Sequence, residues 1–364
     1  MTSALCVTVL ILAFANGAND NAKGVATLRG SGLAGYTTTI LWGTICTLFG
    51  ALLSVRFGVK LISLFNGHGL LPGDTAGQPN LLLAVALAAA ATVLLASRIG
   101  APISTTHALT GGLIGSGAAA FGIGELHLSG LGTGIILPLL FSPLLSMGLT
   151  LLLFPLLLPI RRLVDTCVCL VQREPNLISF GVLSKREVFQ PVDLVIGATS
   201  DCQPISRFSR LTLLNLIHWF SAGIMSFSRG LNDTPKITAL LIGIGSGLPA
   251  EEAVFGVAFA MALGGLVGAQ RISRTLSEKI TPMDPVQGAS ANLITSILVS
   301  VASRHGMPVS TTHVACGSLF GIGGLNKGKT DWQQVLQIIM AWGITLPAAA
   351  MLGGLFYLLV KILL

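Results

Sequence analysis

"SRIGAPISTTHALTGGLIGSG", residues 97–117, returns as "SRHGMPVSTTHVACGSLFGIG", residues 303–323, without a gap and with more than half of the positions identical. A second pair of stretches keeps the same order. "FANGANDNAKG" at 14–24 and "FSRGLNDTPKI" at 227–237 share Phe, Gly, Asn, Asp and Lys at matching places. Two motifs recurring in one order at an offset of a little over 200 residues mark a duplicated unit, and a repeat of that kind decides the architecture before any single residue does. The chain then divides into a first repeat over 1–160, a central segment over 161–210 and a second repeat over 211–364.

Composition says what the unit is made for. Of 364 residues, 52% are hydrophobic and 10% charged, and the mean hydropathy is +0.82, which lies outside the range of soluble domains. Apolar runs that span a bilayer, or nearly so, cover about 2–18, 33–55, 81–97, 108–124, 131–160, 211–228, 237–248, 253–270, 286–303, 308–325 and 335–364; a hydrocarbon core needs about 20 residues of helix. The expected fold is an all-α polytopic protein of the cell membrane with ten to twelve transmembrane or broken helices. Forty-four glycines and sixteen prolines suit close helix packing and helices that break beside a cavity.

The net charge of +7 is not a nucleic-acid signature here, because the basic residues sit at span ends and in the central segment. Arg161, Arg162, Arg173, Lys185, Arg186, Arg207 and Arg210 place that segment in the cytoplasm by the positive-inside rule, where Cys167, Cys169 and Cys202 are expected as free thiols. If the repeats are inverted, each has an odd number of crossings and both termini lie outside. The opening "VTVLILAFA" resembles a leader with a cleavage site, but the stretch that follows it is copied internally, which argues for a membrane span.

Membrane proteins built from repeats bind substrate where interrupted helices of both halves meet. Pro102 and Pro308 each break an incoming helix, and Ser104 or Ser310 caps the next one, so "ISTTH" and "VSTTH" each begin a half-helix. A helix start offers free N–H groups and partial positive charge, and Ser104, Thr105, Thr106, Ser310, Thr311 and Thr312 add hydroxyls: two such starts facing each other suit a tetrahedral oxyanion. Simple capping, with Gly111, Gly115 and Gly117 allowing close packing, is the alternative; three repeated hydroxyls exceed what a cap requires. Asp20 and Asp233 lie where ionisable groups are costly and usually mark an ion or substrate path. Lys23 and Lys236 follow three residues later on the same helical face, either as neutralising partners or as anion ligands.

The stretches "GANDNAKG", "GLNDTPKI", "APISTTHALTGG" and "MPVSTTHVACGS" resemble the inorganic phosphate transporter family, PiT. The resemblance covers both halves and leaves the central segment unmatched. It implies an inverted-repeat symporter that takes up inorganic phosphate with sodium or protons, often as a homodimer in lipid, with Asn19, Asp20, Asn232, Asp233 and the two Ser-Thr-Thr runs building the phosphate and cation sites. The family pattern reads G-A-N-D-x-A-N-A; this chain has Lys23 and Lys236 where a second Asn is expected. An amide oxygen can ligate sodium, whereas an ammonium only donates. The departure therefore points to proton-coupled or sodium-independent transport through Asn19, Asp20, Asn232, Asp233, His107 or His313, with Lys23 and Lys236 holding phosphate; a sodium-coupled site remains the alternative.

His107 and His313 suit proton relay or structural hydrogen bonding, and their spacing gives no metal site. Arg98 and Arg304, four residues before each proline, either guide anions or anchor helices. "GGLIGSG" lacks the rest of a P-loop, "NDT" at 232 lies in a predicted span, and no nucleophile–base pair suggests an enzyme, so neither enzymatic activity nor a cofactor is expected. Sulfate or another tetrahedral oxyanion would fit the same hydroxyls and helix starts, and an anion channel or sensor is a further class; accumulation against a gradient separates those from symport.

Overall fold

The computed structural model describes residues 2–65, 70–72, 77–128, 132–157, 166–172, 192–198, 210–243, 248–326 and 328–363. The first repeat gives α1 (Thr2–Gly30), α2 (Tyr36–Phe57), α3 (Val59–Phe65), α4 (Pro79–Ile99), α5 (Thr105–Phe121) and α6 (Leu137–Leu157). The second gives α7 (Leu213–Ile242), α8 (Ala250–Gly268), α9 (Gln270–Glu278), α10 (Pro285–His305), α11 (Thr311–Leu325) and α12 (Trp332–Leu363). Long apolar runs make these helices, and seven of them are long and apolar enough to cross a membrane. The protein is an all-α, multi-pass membrane protein in everything but its central segment.

That segment holds a feature the hydropathy did not predict: an antiparallel sheet of β1 (Thr166–Gln172), β2 (Val192–Ala198) and β3 (Arg210–Thr212), in the order β2-β1-β3. "TCVCLVQ" and "VDLVIGA" are too short to span and rich in β-branched residues, so they pair with each other instead, with Cys167 opposite Gly197. Cys167 is disulfide-bonded, which corrects the expectation of a free thiol at that position, whereas Cys169 is free. The strand brings Cys167 fully inside, away from solvent. Cys202, Arg161, Arg162, Arg173, Lys185, Arg186 and Arg207 lie outside the described residues.

The two repeats are interlocked. Gly17 of α1 lies against the Met261 carbonyl of α8, where an added Cβ would come within 2.0 Å, and Gly230 of α7 meets Thr47 of α2 in the same way at 2.2 Å. The return contacts match too: Gly264 on Phe14 at 1.9 Å and Gly50 on Phe227 at 2.0 Å. Each repeat's first helix thus packs on the other's second, and only glycine permits these approaches. At the far end of each repeat, α5 packs on α12 and α11 on α6, with Gly111 and Gly317 each placing a would-be Cβ 2.4 Å from a carbonyl of the partner helix.

Helices α1 and α7 run antiparallel through the centre: Thr27 meets His218 at 3.0 Å, and Asn16 meets Arg229 at 3.0 Å. Gly77, just before α4, lies against Gly243 at the end of α7, while Glu278, just before α10, pairs with Arg29 at the end of α1. The helical hairpins α4–α5 and α10–α11 therefore enter from opposite ends of the bundle and meet at their tips. Each incoming helix stops at a glycine in the left-handed region, Gly100 at φ 76° and Gly306 at φ 71°, a conformation that a side chain disfavours. Two residues on, Pro102 and Pro308 keep the chain extended until the next helix starts.

Candidate functional site

The expected half-helices are present. Ser104 Oγ accepts the His107 N–H at 3.1 Å to cap α5, and Ser310 Oγ accepts the His313 N–H at 3.2 Å to cap α11. The caps leave the earlier amides of each first turn as donors. Across the centre the tips touch: Thr312 donates to the Ile103 carbonyl at 2.6 Å and Thr106 to the Val309 carbonyl at 3.5 Å.

Lys23 of α1 reaches into this junction. Its Nζ donates to Asn19 Oδ1 at 3.1 Å, to the Ile103 carbonyl at 3.0 Å, to Asp20 Oδ1 and to Thr312 Oγ1. Lys236 of α7 does the same from the other side, donating to Thr106 Oγ1 at 2.9 Å, the Val309 carbonyl at 2.8 Å and Asp233 Oδ1 at 3.3 Å. Each ammonium thus sits in a cage of hydroxyl, carbonyl and carboxylate oxygens, and each joins its own Asp to a threonine of the opposite hairpin. Asn19 secures its hairpin by donating to Ser97 Oγ and the Ala101 carbonyl, both at 3.1 Å, and accepting the Ile103 N–H at 3.2 Å. Asn232 accepts from Ser303 Oγ at 3.1 Å and donates to the Val309 carbonyl at 3.2 Å.

The remaining hydroxyls are engaged as well. Thr105 Oγ1 accepts from Asn16 Nδ2 at 3.0 Å, and Thr311 donates to Asp233 Oδ2 at 3.1 Å. The runs read as free anion donors are therefore tied to the Asn-Asp-Lys motifs in this conformation. That arrangement makes hairpin position and motif charge interdependent.

Three site residues escaped the sequence reading. Arg229 is fully buried, with Nη2 donating to Asn16 Oδ1 at 3.0 Å, Nη1 to Asn21 Oδ1 at 3.2 Å and Nε 3.8 Å from Asp233 Oδ2. Asn16 completes the bridge by donating to Asp20 Oδ2 at 3.1 Å. Arg229 stands four residues before Asp233, inside an apolar run, and that spacing was the available signal. The bridges to Asn16 and Asn21 arise only because α1 and α7 lie side by side.

The charge count matters in a buried site. Asp20, Lys23, Arg229, Asp233 and Lys236 are each at most 3% exposed. They comprise three cations against two carboxylates, so the fully ionised cluster carries one positive charge in excess. Buried charge without a partner is costly, and an anion is the natural complement.

His107 and His313 are brought together, with ring centroids 4.6 Å apart, but they turn toward α12. His313 Nδ1 lies 3.0 Å from the Leu139 carbonyl, and among the described residues no hydrogen bond joins either ring to Asp20 or Asp233. Arg98 and Arg304 are exposed beside the hairpin breaks, away from the buried cluster. No group of three or more His, Cys, Asp and Glu residues suited to a metal ion occurs among the described residues.

Comparison with known proteins agrees with this architecture. A profile described as "Phosphate transporter family" matches residues 16–353. A Rhizobium meliloti protein described as "Probable low-affinity inorganic phosphate transporter" is 30% identical over 365 residues, covering 97% of this chain and 94% of that one. A Bacillus subtilis protein of the same description is 26% identical over 373 residues, covering 100% and 98%. A solved structure described as "The sodium-dependent phosphate transporter" shares the fold, with a TM-score of 0.77 at 20% identity over 100% of this chain and 99% of its own. With its duplicated motifs meeting at two hairpin tips and the profile spanning nearly its whole length, the chain belongs to the phosphate transporter family.

Proposed function

We propose that the protein imports inorganic phosphate across the cell membrane by symport that needs no sodium and is driven by protons. The observation that carries this reading is the pair of oxygen cages filled by Lys23 and Lys236. Hydroxyl, carbonyl and carboxylate oxygens of this kind suit a hard cation. Here a covalently attached ammonium takes the place such an ion would fill, in both halves.

Phosphate binds between the hairpin tips. The first-turn amides at Ser104, Thr105 and Thr106 and at Ser310, Thr311 and Thr312 supply neutral donors, and Lys23, Lys236 and Arg229 supply the positive charge. As phosphate takes the lysines, they release Thr106 and Thr312, and the tips become free to separate toward one face. Asp20, hydrogen-bonded by Asn16, and Asp233, hydrogen-bonded by Asn232, take up and release the coupling proton, with Asn19 tied to the Lys23 ammonium and His107 and His313 as further titratable groups near the tips. The carboxylates favour a protonated oxyanion, which can donate to them, over sulfate, which cannot. The same reading places the 161–210 segment in the cytoplasm, the termini outside, and two copies together in the membrane. With Cys167 disulfide-bonded, that orientation rests on the basic residues alone.

Labelled phosphate uptake into proteoliposomes tests this. An inward proton gradient in sodium-free buffer should drive accumulation above equilibrium, and excess sulfate should not reduce it. Accumulation that appears only with a sodium gradient contradicts the coupling. Equilibration without accumulation would make the protein a channel.

A further inference from the structure

Beside the hairpin tips, lined by neither lysine, lies a cavity of about 420 Å³. It is walled by His107, His313, Phe320 and Trp342, with Leu144 of α6 and Gly343 of α12 at its edge. We infer that this cavity is a binding site for a small aromatic amphiphile with one hydroxyl group, entering from the bilayer and acting on transport by loosening the first hairpin tip.

Four observations support the assignment. The volume falls within the range of small-molecule sites. The cavity opens between α6 and α12, where Leu144 is 58% and Ile339 47% exposed on apolar spans, so whatever fills it comes from lipid. Its wall is a chain of rings: His107 and His313 with centroids 4.6 Å apart, His313 and Trp342 at 4.1 Å, Phe320 and Trp342 at 5.9 Å. A ligand with a ring extends such a stack, in offset or edge-on contact, better than an acyl chain does. The wall also contains buried polar atoms, His107 Nδ1 and His313 Nε2, with no hydrogen-bond partner among the described residues. His313 Nδ1 faces a carbonyl at 3.0 Å and so carries the proton, which leaves Nε2 of the neutral ring as an acceptor. A buried acceptor without a donor is costly, and a small ring movement on ligand entry would give it the ligand's hydroxyl.

The position makes the site consequential. Trp342 Nε1 donates to the Pro102 carbonyl at 3.0 Å, a bond that fixes the α4–α5 break two residues before the Ser104 cap. A ligand wedged against the Trp342 ring turns the indole, strains that bond and changes how the tip sits over Lys236.

The probe is bromothymol, an alkylphenol whose bromine quenches indole fluorescence, compared with bromocymene, the same molecule without the hydroxyl. In nanodiscs, bromothymol should quench tryptophan fluorescence with a saturable component at least fivefold tighter than any seen with bromocymene. Gly343→Phe should abolish that component, since an added Cβ there meets nothing within 4 Å and the ring fills the cavity. Leu144→Phe, narrowing the edge, should weaken it. Phosphate uptake by the wild type should fall over the same probe range and stay unaffected in Gly343→Phe. Linear quenching alone, equal quenching by both probes, or saturable quenching that survives Gly343→Phe would overturn the site. The binding readout does not depend on the phosphate reading, so failure of uptake in every sample would count against that reading and leave the cavity assignment judged by quenching.

Discussion

The two halves of the central cluster are built from one motif and carry different charge. In the first, Asn16, Asp20 and Lys23 make a neutral set: one carboxylate, one ammonium and an amide joining them to Thr105. In the second, Arg229 stands where Asn16 stands in the repeat, beside Asp233 and Lys236, so two cations share one carboxylate. Arg229 then reaches across to Asn16 and Asn21 of the first half. Duplication supplied the cages, and divergence at one position supplied the surplus positive charge that the proposed phosphate site would use. The symmetric part of the cluster holds the hairpins; the asymmetric part sets its net charge.

If that is right, the equivalent aspartates are not equivalent in consequence. Asp233→Asn leaves both Lys236 and Arg229 without their carboxylate, and breaking a buried pair costs roughly 3–5 kcal/mol. It should abolish uptake and lower Tm in detergent more than Asp20→Asn, which strands Lys23 alone. Equal Tm losses would erase the distinction between the halves.

The next largest effect sharpens the comparison directly. Arg229→Asn makes the second half like the first and removes the excess charge. With the loss of hydrogen bonds from a charged donor worth about 1.5–3 kcal/mol, phosphate kcat/KM should fall by roughly 10- to 100-fold, mainly through KM, in protein that still elutes as folded. Asn16→Arg added to that variant moves the charge to the other half and should recover part of the loss. No recovery would mean that the location of the arginine matters more than the net charge.

The smallest effect tests where the halves agree. Ser104 and Ser310 cap their helices with nearly the same geometry, at 3.1 and 3.2 Å. Ser104→Ala and Ser310→Ala should each cost about 1 kcal/mol, with matching Tm shifts. A large difference between them would show that one hairpin bears more of the fold than the other.

Much of this was legible in the sequence. The gapless match across 97–117 and 303–323 gave the repeat, and Pro102 with Ser104 gave the broken hairpin, because those residue types act locally. The i, i+3 spacing of Asp20 and Lys23 gave their pairing for the same reason. What stayed hidden depends on contacts between distant segments. Arg229 joining Asn16 requires the antiparallel packing of α1 on α7, and the hydroxyls of Thr106 and Thr312 looked free until the lysines of the opposite helices were seen to hold them. The exchange of helices between repeats was written in Gly17, Gly50, Gly230 and Gly264, but a glycine in a span does not name its neighbour. The strands of the central segment were missed because hydropathy at membrane length overlooks runs of seven residues.

In the proposed mechanism, two fixed ammonium groups do what a bound cation would do. The direct measurement is labelled phosphate uptake into proteoliposomes under an imposed proton or sodium gradient, for the wild type and for Lys23→Asn/Lys236→Asn. Proton-driven, sodium-insensitive uptake is expected in the wild type, and sodium-dependent uptake should appear in the double variant. Sodium-dependent uptake already present in the wild type would contradict it.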